Sequence, residues 1–328
     1  MNEKKERIIL DVAYQPQIRT KTDTQRLMLC VILALLPAVI MAVWQFGPRT
    51  LVVMASSVLS AVFFEWAIRK FRKQSASIGD LSAVVTGLLL ALTLPPTSPW
   101  WLPVIGTFFG IVVVKQLYGG IGKNFLNPAL AGRAFLLASY AMLMGRFAAP
   151  AAMNGIPGVD AISAATPLSF LYGSEGMPAY YSVKALFLGF VPGAMGEIST
   201  LALLIGGIYL IARKVISPII PCAFIGTVFV FGLIATGSPY WALFHVLSGG
   251  VMLGAFFMAT DYVTSPKLPL GQLIFGIGCG IITMSIRLFG SYPEGVSFSI
   301  LLMNICTPLL NNLSYKFYLK EGGAKNGK

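Results

Sequence analysis

Charged residues are scarce in this chain. Of its 328 residues, 11% are Asp, Glu, Lys or Arg and 56% are hydrophobic, whereas soluble domains contain about 25% charged residues. A soluble fold of this size could not bury so much apolar surface, so the composition argues against a soluble protein and predicts a polytopic membrane protein. No small-residue cleavage site accompanies the first apolar stretch, which starts at Leu27. We therefore interpret that stretch as a retained span and not as a signal peptide.

The chain has a single histidine, and it has no CxxC pair and no nucleotide-binding loop. His245 is the only histidine, and because it cannot form a metal site alone we interpret it as an interhelical residue and predict no metal site. The four cysteines lie in or beside apolar stretches without a CxxC pair. This pattern argues against a disulfide framework or a Cys-only cluster within the chain, while a cluster shared with a partner stays open. The absence of a Gly-rich phosphate loop disfavours an ATP-driven pump.

The net charge of +12 comes from Lys and Arg residues at the chain ends and in short loops. If the N-terminus is cytoplasmic, nineteen of the 24 basic residues fall in inner segments, four fall in outer segments, and Arg133 falls inside a span. The positive-inside rule therefore predicts cytoplasmic termini and a multi-pass chain in the bacterial cytoplasmic (inner) membrane. No basic face interleaved with aromatic residues exists, so membrane lipid is the expected partner and nucleic acid is not.

Ten apolar segments are predicted to cross the membrane as helices, which gives an all-α fold. They cover residues 27–46, 51–68, 81–97, 101–118, 127–145, 199–212, 218–236, 241–259, 269–289 and 297–315. The predicted organisation is a cytoplasmic arm (1–26), a first transmembrane repeat (27–145), an external loop with a re-entrant segment (146–198), a second transmembrane repeat (199–315) and a cytoplasmic tail (316–328).

The two halves of the chain carry similar motifs. Ser98-Pro99-Trp100-Trp101 opens the fourth span, and Ser238-Pro239-Tyr240-Trp241 opens a later one, 140 residues on. Asn127-Pro128 and Ser265-Pro266 are separated by 138 residues in the same way. Five spans in each half would give two inverted five-helix repeats, as in many transporters. The alternative is that Ser-Pro-aromatic motifs are simply common at membrane interfaces.

Residues 146–184 interrupt the pattern of spans because they are too polar and too rich in Gly and Pro to cross a membrane. Their place in the charge count puts them outside. The apolar residues 183–198 are short and broken by Gly189, Pro192, Gly193 and Gly196. This composition predicts a re-entrant piece that packs on protein and not on lipid.

The strongest motif is the run from Asp160 to Pro167, which contains Ser163, Ala165 and Thr166 on the predicted external loop. The small residues would let a bulky phosphate group approach the backbone, the Thr166 hydroxyl could form a phosphoester, and the acid could help to position a metal-bound nucleotide donor. The alternative is an ordinary helix cap, because Asp, Ser and Thr all favour that position.

Asp160-x-x-Ser163-x-Ala165-Thr166 resembles the flavinylation motif of the family that contains the D subunit of the Rnf ion-translocating ferredoxin:NAD oxidoreductase and, as a close relative, the B subunit of the sodium-pumping NADH:quinone oxidoreductase. The resemblance covers nearly the whole chain. Further stretches that are similar to the family are Leu126-Asn127-Pro128-Ala129-x-x-Gly132-Arg133-Ala134-Phe135, Gly193-x-x-Gly196-Glu197-x-Ser199 and Met258-Ala259-Thr260-Asp261-x-x-Thr264-Ser265-Pro266. One departure is Gln17, which stands where the family's N-terminal arm has a histidine.

The resemblance implies a subunit of an ion-pumping oxidoreductase that is not complete as a single chain. It implies FMN joined covalently to Thr166 through its phosphate by a flavin transferase, and a noncovalent riboflavin within the bundle. It also implies the other Rnf subunits as partners, including a second subunit with covalent FMN, and electron transfer between the flavins coupled to transport of Na⁺ or H⁺. The cofactor would supply the redox chemistry, and the protein would set distance, potential and solvent access.

Four residues in or near the spans are candidates for contacts with a flavin or an ion. A buried cation such as Arg133 is costly and is normally functional or paired, and it could meet a flavin, a carboxylate or helix-end carbonyls. Glu197 could hydrogen-bond a flavin or a helix end. Asp261 could ligate a cation, although a helix cap is the simpler interpretation, and Asn127 belongs to the family-like motif that precedes Arg133.

Two other functions are compatible with parts of the sequence. A channel or facilitated transporter for a small polar solute such as urea would suit the repeat and the Gly-rich half-helices, but such a protein has no use for the flavinylation motif. A purely structural membrane anchor is the third hypothesis, and the charged residues Arg133 and Glu197 within the apolar region argue against it.

Overall fold

The computed structural model describes residues 24–73, 78–150, 166–170, 182–290 and 295–325. Over these ranges the chain is helical and forms no β-strand. Three residues of the predicted flavinylation motif, Asp160, Ser163 and Ala165, lie outside the described residues, as does the N-terminal arm up to residue 23. Thr166 lies within them.

The α-helices of the described ranges are α1 (Thr24–Phe46), α2 (Arg49–Phe71), α3 (Ser82–Leu92), α4 (Trp101–Thr107), α5 (Pro128–Ser139), α6 (Ala141–Met144), α7 (Pro167–Phe170), α8 (Val183–Leu188), α9 (Thr200–Ala212), α10 (Ile219–Thr236), α11 (Pro239–Leu247), α12 (Val251–Leu253), α13 (Pro269–Phe289) and α14 (Val296–Lys325). Two π-helices continue α4 and α12, at Phe108–Gln116 and Gly254–Met258. A 3₁₀ turn, Ile78–Asp80, precedes α3.

Five of these helices are long and apolar enough to cross a membrane: α1, α2, α10, α13 and α14. A sixth span is formed if α11 and the helix Val251–Met258 are counted together, although they are bent by 63°. Each of the ten predicted spans coincides with a helical segment, but α3, α5 and α9 have 11, 12 and 13 residues. Because a straight span needs about 20 residues, the ten-span arrangement stays a prediction.

Local sequence signals account for several helix ends. Gly47 has a positive φ of 81° and lies in the tight turn between α1 and α2, a conformation that glycine adopts without steric cost. At the start of α5 the Asn127 side chain accepts hydrogen bonds from the backbone N–H groups of Ala129 (3.0 Å) and Leu130 (3.3 Å). Pro128 occupies the first position of that helix, where a missing N–H is tolerated.

Small residues let the helices approach closely. A Cβ atom at Gly206 of α9 would lie 2.0 Å from the carbonyl oxygen of Ala34 of α1. A Cβ at Gly280 of α13 would lie 2.5 Å from Cβ of Thr227 of α10. Close backbone approach at small residues is the usual packing mode in a bilayer, where no hydrophobic force drives helices together.

The start of α1 and the final part of α14 lie at one end of the bundle, which we call the terminal end. Thr24 and Tyr262 line the same cavity, and the backbone N–H of Lys267, five residues after Tyr262, donates to the side chain of Asn311 in α14 (3.1 Å). The hairpin between α1 and α2 is at the other end, which we call the opposite end. The predicted cytoplasmic placement of both chain termini stays a prediction.

The two Ser-Pro-aromatic motifs have similar structural contexts, because a π-helix follows each of them at Phe108–Gln116 and Gly254–Met258. The segments that these motifs open are the fourth and eighth of the ten predicted spans. Two spans cross the membrane in the same direction when their positions in the chain differ by an even number, as four and eight do. The motifs therefore support a repeat but do not by themselves support its inversion. The inverted repeat stays a prediction.

A cysteine introduced at Thr236, at the far end of α10, is expected to react from outside the cell, and one at Lys70, near the end of α2, only from the cytoplasm. Both residues are exposed, and the positive-inside rule puts the basic end of α2 inside. The measurement is labelling with an impermeant thiol reagent, in a chain without the native cysteines, before and after permeabilisation. Labelling of Lys70→Cys in intact cells would contradict the orientation. The predicted external loop 146–184 falls mostly outside the described residues.

Candidate functional site

A buried ion pair lies between α5 and the segment that precedes α9. Nη1 of Arg133 donates to Oε1 of Glu197 at 3.0 Å, and the two side chains are 7% and 5% exposed. Of the partners predicted for Arg133, the structure therefore gives a carboxylate. Each charge compensates the other in a region where a lone charge would carry a large desolvation cost.

The predicted re-entrant segment positions Glu197 by packing on protein. Every residue from Val191 to Thr200 is buried. The N–H of Gly196 donates to the carbonyl of Leu92 at the end of α3 (2.7 Å), and the N–H of Met195 donates to Leu94 (3.0 Å). A Cβ at Gly196 would lie 2.7 Å from Cβ of Leu92, so this approach requires glycine. These hydrogen bonds satisfy backbone N–H and C=O groups that lie outside any helix, as is required of a segment embedded in a membrane.

Glu197 also lies against a break between two half-helices. The helix α11 ends at Leu247 and α12 begins at Val251. Between them Gly249 and Gly250 have φ angles of 64° and 72°, which favour glycine. A Cβ at Gly250 would lie 2.5 Å from Oε1 of Glu197. The carboxylate is thus next to the start of the second half-helix, where the helix dipole favours negative charge.

Arg287 of α13 binds the end of the first half-helix, on the other side of the break from Glu197. Its Nη1 donates to the carbonyl of His245 (2.6 Å), and its Nη2 donates to the carbonyls of Ser248 (2.9 Å) and Gly249 (3.0 Å). The residue is 1% exposed. A cation at the C-terminal end of a half-helix is favoured by the helix dipole.

The charge count placed Arg287 in an outer segment, whereas the structure buries its side chain and turns it back onto the end of α11. The signal that could have found this role is an arginine within the last turn of a long apolar helix, in a chain that has a Ser-Gly-Gly break elsewhere. Distance along the chain hides the pairing, since Arg287 follows the break by almost forty residues.

Thr166 immediately precedes α7 and is partly exposed. It shares a small pocket of about 20 Å³ with Glu197, Ser248 and Gly249. The structure therefore brings Thr166 and Glu197 together, at the break and beside the Arg133 pair. Leu186 of α8 lines the same pocket, and Gly189 just beyond it approaches Met41 near the far end of α1, so this site lies toward the opposite end of the bundle.

Asn127 and Asp261 are brought together elsewhere, in a cavity of about 390 Å³ at the terminal end. The Asn127 amide donates to the carbonyl of Met258 (3.2 Å) in addition to capping α5. The Asp261 carboxylate accepts from the N–H of Val263 and from the hydroxyl of Thr264 (3.2 Å). These bonds close a turn and not a helix end, because the next helix begins only at Pro269. Burial raises the pKa of the Asp261 carboxyl, and the two local hydrogen bonds oppose that rise.

Lys115, which lines this cavity, belongs to a second buried ion pair. Nζ of Lys115, on the first π-helix, donates to Oε2 of Glu65 at 2.9 Å, and the side chains are 3% and 1% exposed. Gln116 donates to the other carboxylate oxygen of Glu65 (3.0 Å). The charge count placed Lys115 in an inner segment, but the side chain is buried. A π-helical segment often marks a functional position within a helix.

Comparison with known proteins identifies the chain's relatives. The model of the NQR2, RnfD, RnfE family matches residues 11–318. The chain is 50% identical over 309 residues to the D subunit of the Na(+)-translocating ferredoxin:NAD(+) oxidoreductase complex of Acetobacterium woodii, with 93% of each chain covered. It is 42% identical to the D subunit of the proton-translocating ferredoxin:NAD(+) oxidoreductase complex of Clostridium ljungdahlii, covering 93% of this chain and 95% of that one.

A third relative is the D subunit of the ion-translocating oxidoreductase complex of Yersinia enterocolitica, which is 36% identical with 92% of this chain and 96% of the relative covered. All three similarities extend over nearly the full length of both chains. The helices that carry both ion pairs are therefore within the matched region.

Removing one partner of the Arg133–Glu197 pair is expected to destabilise the protein more than removing both. Glu197→Gln leaves the Arg133 charge buried and should cost about 3–5 kcal/mol, whereas Arg133→Met with Glu197→Met should cost less. The measurement is the temperature at which the detergent-purified protein loses its monodisperse state. Arg49→Met, at an exposed arginine, is the control and should change stability by less than about 0.5 kcal/mol. A double variant less stable than Glu197→Gln would contradict the pairing.

Proposed function

The chain belongs to the NQR2, RnfD, RnfE family, and on that basis we propose that it is the membrane subunit of an ion-translocating electron-transfer complex and carries covalent FMN at Thr166. Three relatives that cover almost the whole chain are named as D subunits of such complexes. The proposed partners are the other subunits of that complex, among them a second subunit with covalent FMN, and a flavin transferase. The proposed location is the bacterial inner membrane with both termini cytoplasmic.

The observation that carries the proposal is the position of Thr166 at the helix break. Its hydroxyl is on a partly exposed residue, so a modifying enzyme can reach it. The adjoining pocket of about 20 Å³ is too small for a three-ring flavin, whose ring system would therefore lie on the surface of the bundle. A phosphoester at this place stays hydrated or meets backbone N–H groups, so no buried phosphate has to be compensated.

The cavity at the terminal end fits a second, noncovalent flavin such as riboflavin. Its volume of about 390 Å³ is within the range of small-molecule sites, about 300–1,000 Å³. Most of its wall is apolar, with Phe256 and Phe257 among the lining residues, and the polar groups include Asn124, Asn127 and Asp261. An aromatic ring system with hydrogen-bonding edges suits such a wall. Riboflavin has no phosphate, and it needs no anion site.

The two proposed flavin sites are connected by α5. Asn127 at its start lines the terminal-end cavity, and Arg133 lies six residues further on, a rise of about 9 Å along a helix. We propose that a flavin's charge change alters the balance at the Arg133–Glu197 pair, and that the adjoining break then opens an ion path. Such coupling needs a bistable element whose two states differ in their interaction with that charge.

The cation moved is Na⁺ or H⁺, since a relative named for each is similar to this chain over more than nine-tenths of its length. A solute channel is the alternative function. The names of the relatives do not support a solute channel. A conducting path through the centre would need polar groups that a solute can reach. At the break, however, the charged side chains bind other protein groups, as seen for Arg133, Glu197 and Arg287.

Thr166→Val is expected to abolish covalent flavin, because it keeps the side-chain shape and removes the only oxygen that can accept the phosphoryl group. The measurement is mass spectrometry of the peptide containing residue 166, from protein made in cells that have the flavin transferase, with in-gel fluorescence of the denatured chain. Thr236→Val, at another exposed threonine, is the control and should keep the flavin. Ser163→Ala tests recognition of the motif. Covalent fluorescence in Thr166→Val would refute the assignment.

Leu89→Trp is expected to remove the noncovalent flavin without affecting the covalent one. Leu89 is buried in α3 and lines the terminal-end cavity, so an indole ring there would occupy the space of the ligand. Leu89→Met nearly conserves volume and is the matched control. The measurement is the flavin released by denaturation, per mole of assembled complex. Equal release from Leu89→Trp and Leu89→Met would place any noncovalent flavin elsewhere.

A further inference from the structure

An oriented chain of hydrogen bonds joins Asp80 to the wall of the terminal-end cavity. Nζ of Lys115 donates to Oγ of Ser82 at 2.6 Å. The hydroxyl of Ser82 donates in turn to Oδ1 of Asp80 at 2.7 Å. Every link is within hydrogen-bonding distance, and each group can both give up and take back a proton. The three side chains come from three different elements, the first π-helix, α3 and the 3₁₀ turn.

The inner end of this chain faces the cavity. Lys115 and Ser82 both line it, and Lys115 is 3% exposed. An ammonium group has three N–H donors, and Glu65 and Ser82 take two of those of Lys115. The third is left for an occupant of the cavity.

The outer end of the chain is accessible to water. Asp80 is partly exposed and ends the 3₁₀ turn that follows α2, at the terminal end of the bundle. Its Oδ1 atom also accepts from the backbone N–H of Ser82 at 2.9 Å. This second bond fixes the carboxylate beside the Ser82 hydroxyl, so the chain from water to cavity is held by the start of α3.

Other charged groups near Lys115 define its electrostatic surroundings. Glu65 of α2 contacts Lys115 and lies 3.7 Å from Nε of Arg69. Asp261 lines the same cavity and interacts electrostatically with Lys115. Two carboxylates, those of Glu65 and Asp261, therefore lie near the Lys115 side chain.

We propose that Asp80, Ser82 and Lys115 form a proton relay between the cytoplasmic solution and a redox cofactor in the terminal-end cavity. This inference rests on the proposed flavin occupant, because a flavin ring takes up protons at its ring nitrogens when it accepts electrons. Ionisable residues within membrane-embedded segments commonly serve as such relays.

The relay balances as a transfer of one proton. If a flavin occupies the cavity, its reduction by the other flavins of the complex would draw one proton from Nζ of Lys115. The Asp80 carboxylate would then take a proton from water and become a carboxylic acid. After the Ser82 hydroxyl turns, it would give its proton to the Lys115 amine and take the proton of Asp80, which restores the ammonium, the hydroxyl and the carboxylate. Oxidation runs the same steps in reverse, in the direction in which the hydrogen bonds now point.

Asp80→Asn separates a relay from a structural role. The amide oxygen keeps the size of the carboxylate and can accept the same two hydrogen bonds from Ser82, and Asn bonds the backbone two residues on as readily as Asp. It cannot carry a proton. Asp80→Glu restores the carboxyl group and is the rescue variant. Ser57→Ala is the matched control, because it removes a buried hydroxyl that bonds only Gly87 (2.6 Å) at the contact between α2 and α3.

The measurement is the rate of proton uptake by the purified complex, followed with a pH-indicator dye after light-driven reduction of its flavins. Flavin absorbance gives the rate of reduction in the same sample. Asp80→Asn is expected to slow uptake by about a hundredfold, the lower end of what a positioned acid–base group contributes. Asp80→Glu and Ser57→Ala should take up protons at the wild-type rate, and imidazole should partly restore the rate in Asp80→Asn.

Two results would overturn the inference and are distinguishable. If the denatured wild-type complex releases no noncovalent flavin, the proposed occupant of the cavity is wrong. The flavin release is measured before the rates of proton uptake. If the flavin is present and Asp80→Asn and Ser82→Ala both take up protons at the wild-type rate, the relay is wrong while the flavin site stands. A purely structural role for Asp80 predicts the same unchanged rate in Asp80→Asn, since that variant retains both hydrogen bonds from Ser82.

Discussion

The buried pair of Arg133 and Glu197 is the constraint on which the centre of this structure depends. Either charge alone, buried at this place, would carry a large desolvation cost. Their 3.0 Å contact joins α5, which contains Arg133, to the irregular segment between α8 and α9, which contains Glu197. The same carboxylate then lies against Gly250, which ties the pair to the break between α11 and α12. One contact therefore joins three otherwise separate parts of the chain.

The break is compensated at both ends by side chains of opposite sign. Glu197 lies at the start of the second half-helix, and Arg287 donates to three carbonyls at the end of the first. In discontinuous helices of transporters such carbonyls commonly coordinate a cation, and here a tethered guanidinium takes that position. The pocket of Thr166 adjoins the break on one side, and the larger cavity lies toward the terminal end, so the two proposed flavins would sit on either side of a fixed-charge centre.

The all-helical fold class and the positions of the longer helices could be predicted from apolar runs, because burial in lipid or protein favours the same residues. The lengths of the helices could not be predicted in this way. The helix α3 ends at Leu92, where the carbonyl of Leu92 accepts from Gly196 and that of Leu94 accepts from Met195. Hydropathy cannot distinguish a helix end that packs on protein from one that reaches water. The carboxylate partner of Arg133 was among the predicted alternatives, whereas the burial of Lys115 and Arg287 was missed because their partners, Glu65 and the Ser248-Gly249 carbonyls, are distant in sequence.

We propose that the ion pair holds a broken span between two flavin sites. A cryo-electron microscopy map of the whole complex, purified from cells that have the flavin transferase, tests it most directly. The account predicts Arg133 and Glu197 in contact beside a break at Gly249 and Gly250, with flavin density joined to Thr166 and a second flat density in the cavity lined by Asn127. A continuous helix through Gly250, with Arg133 and Glu197 bound to separate partners, would contradict it.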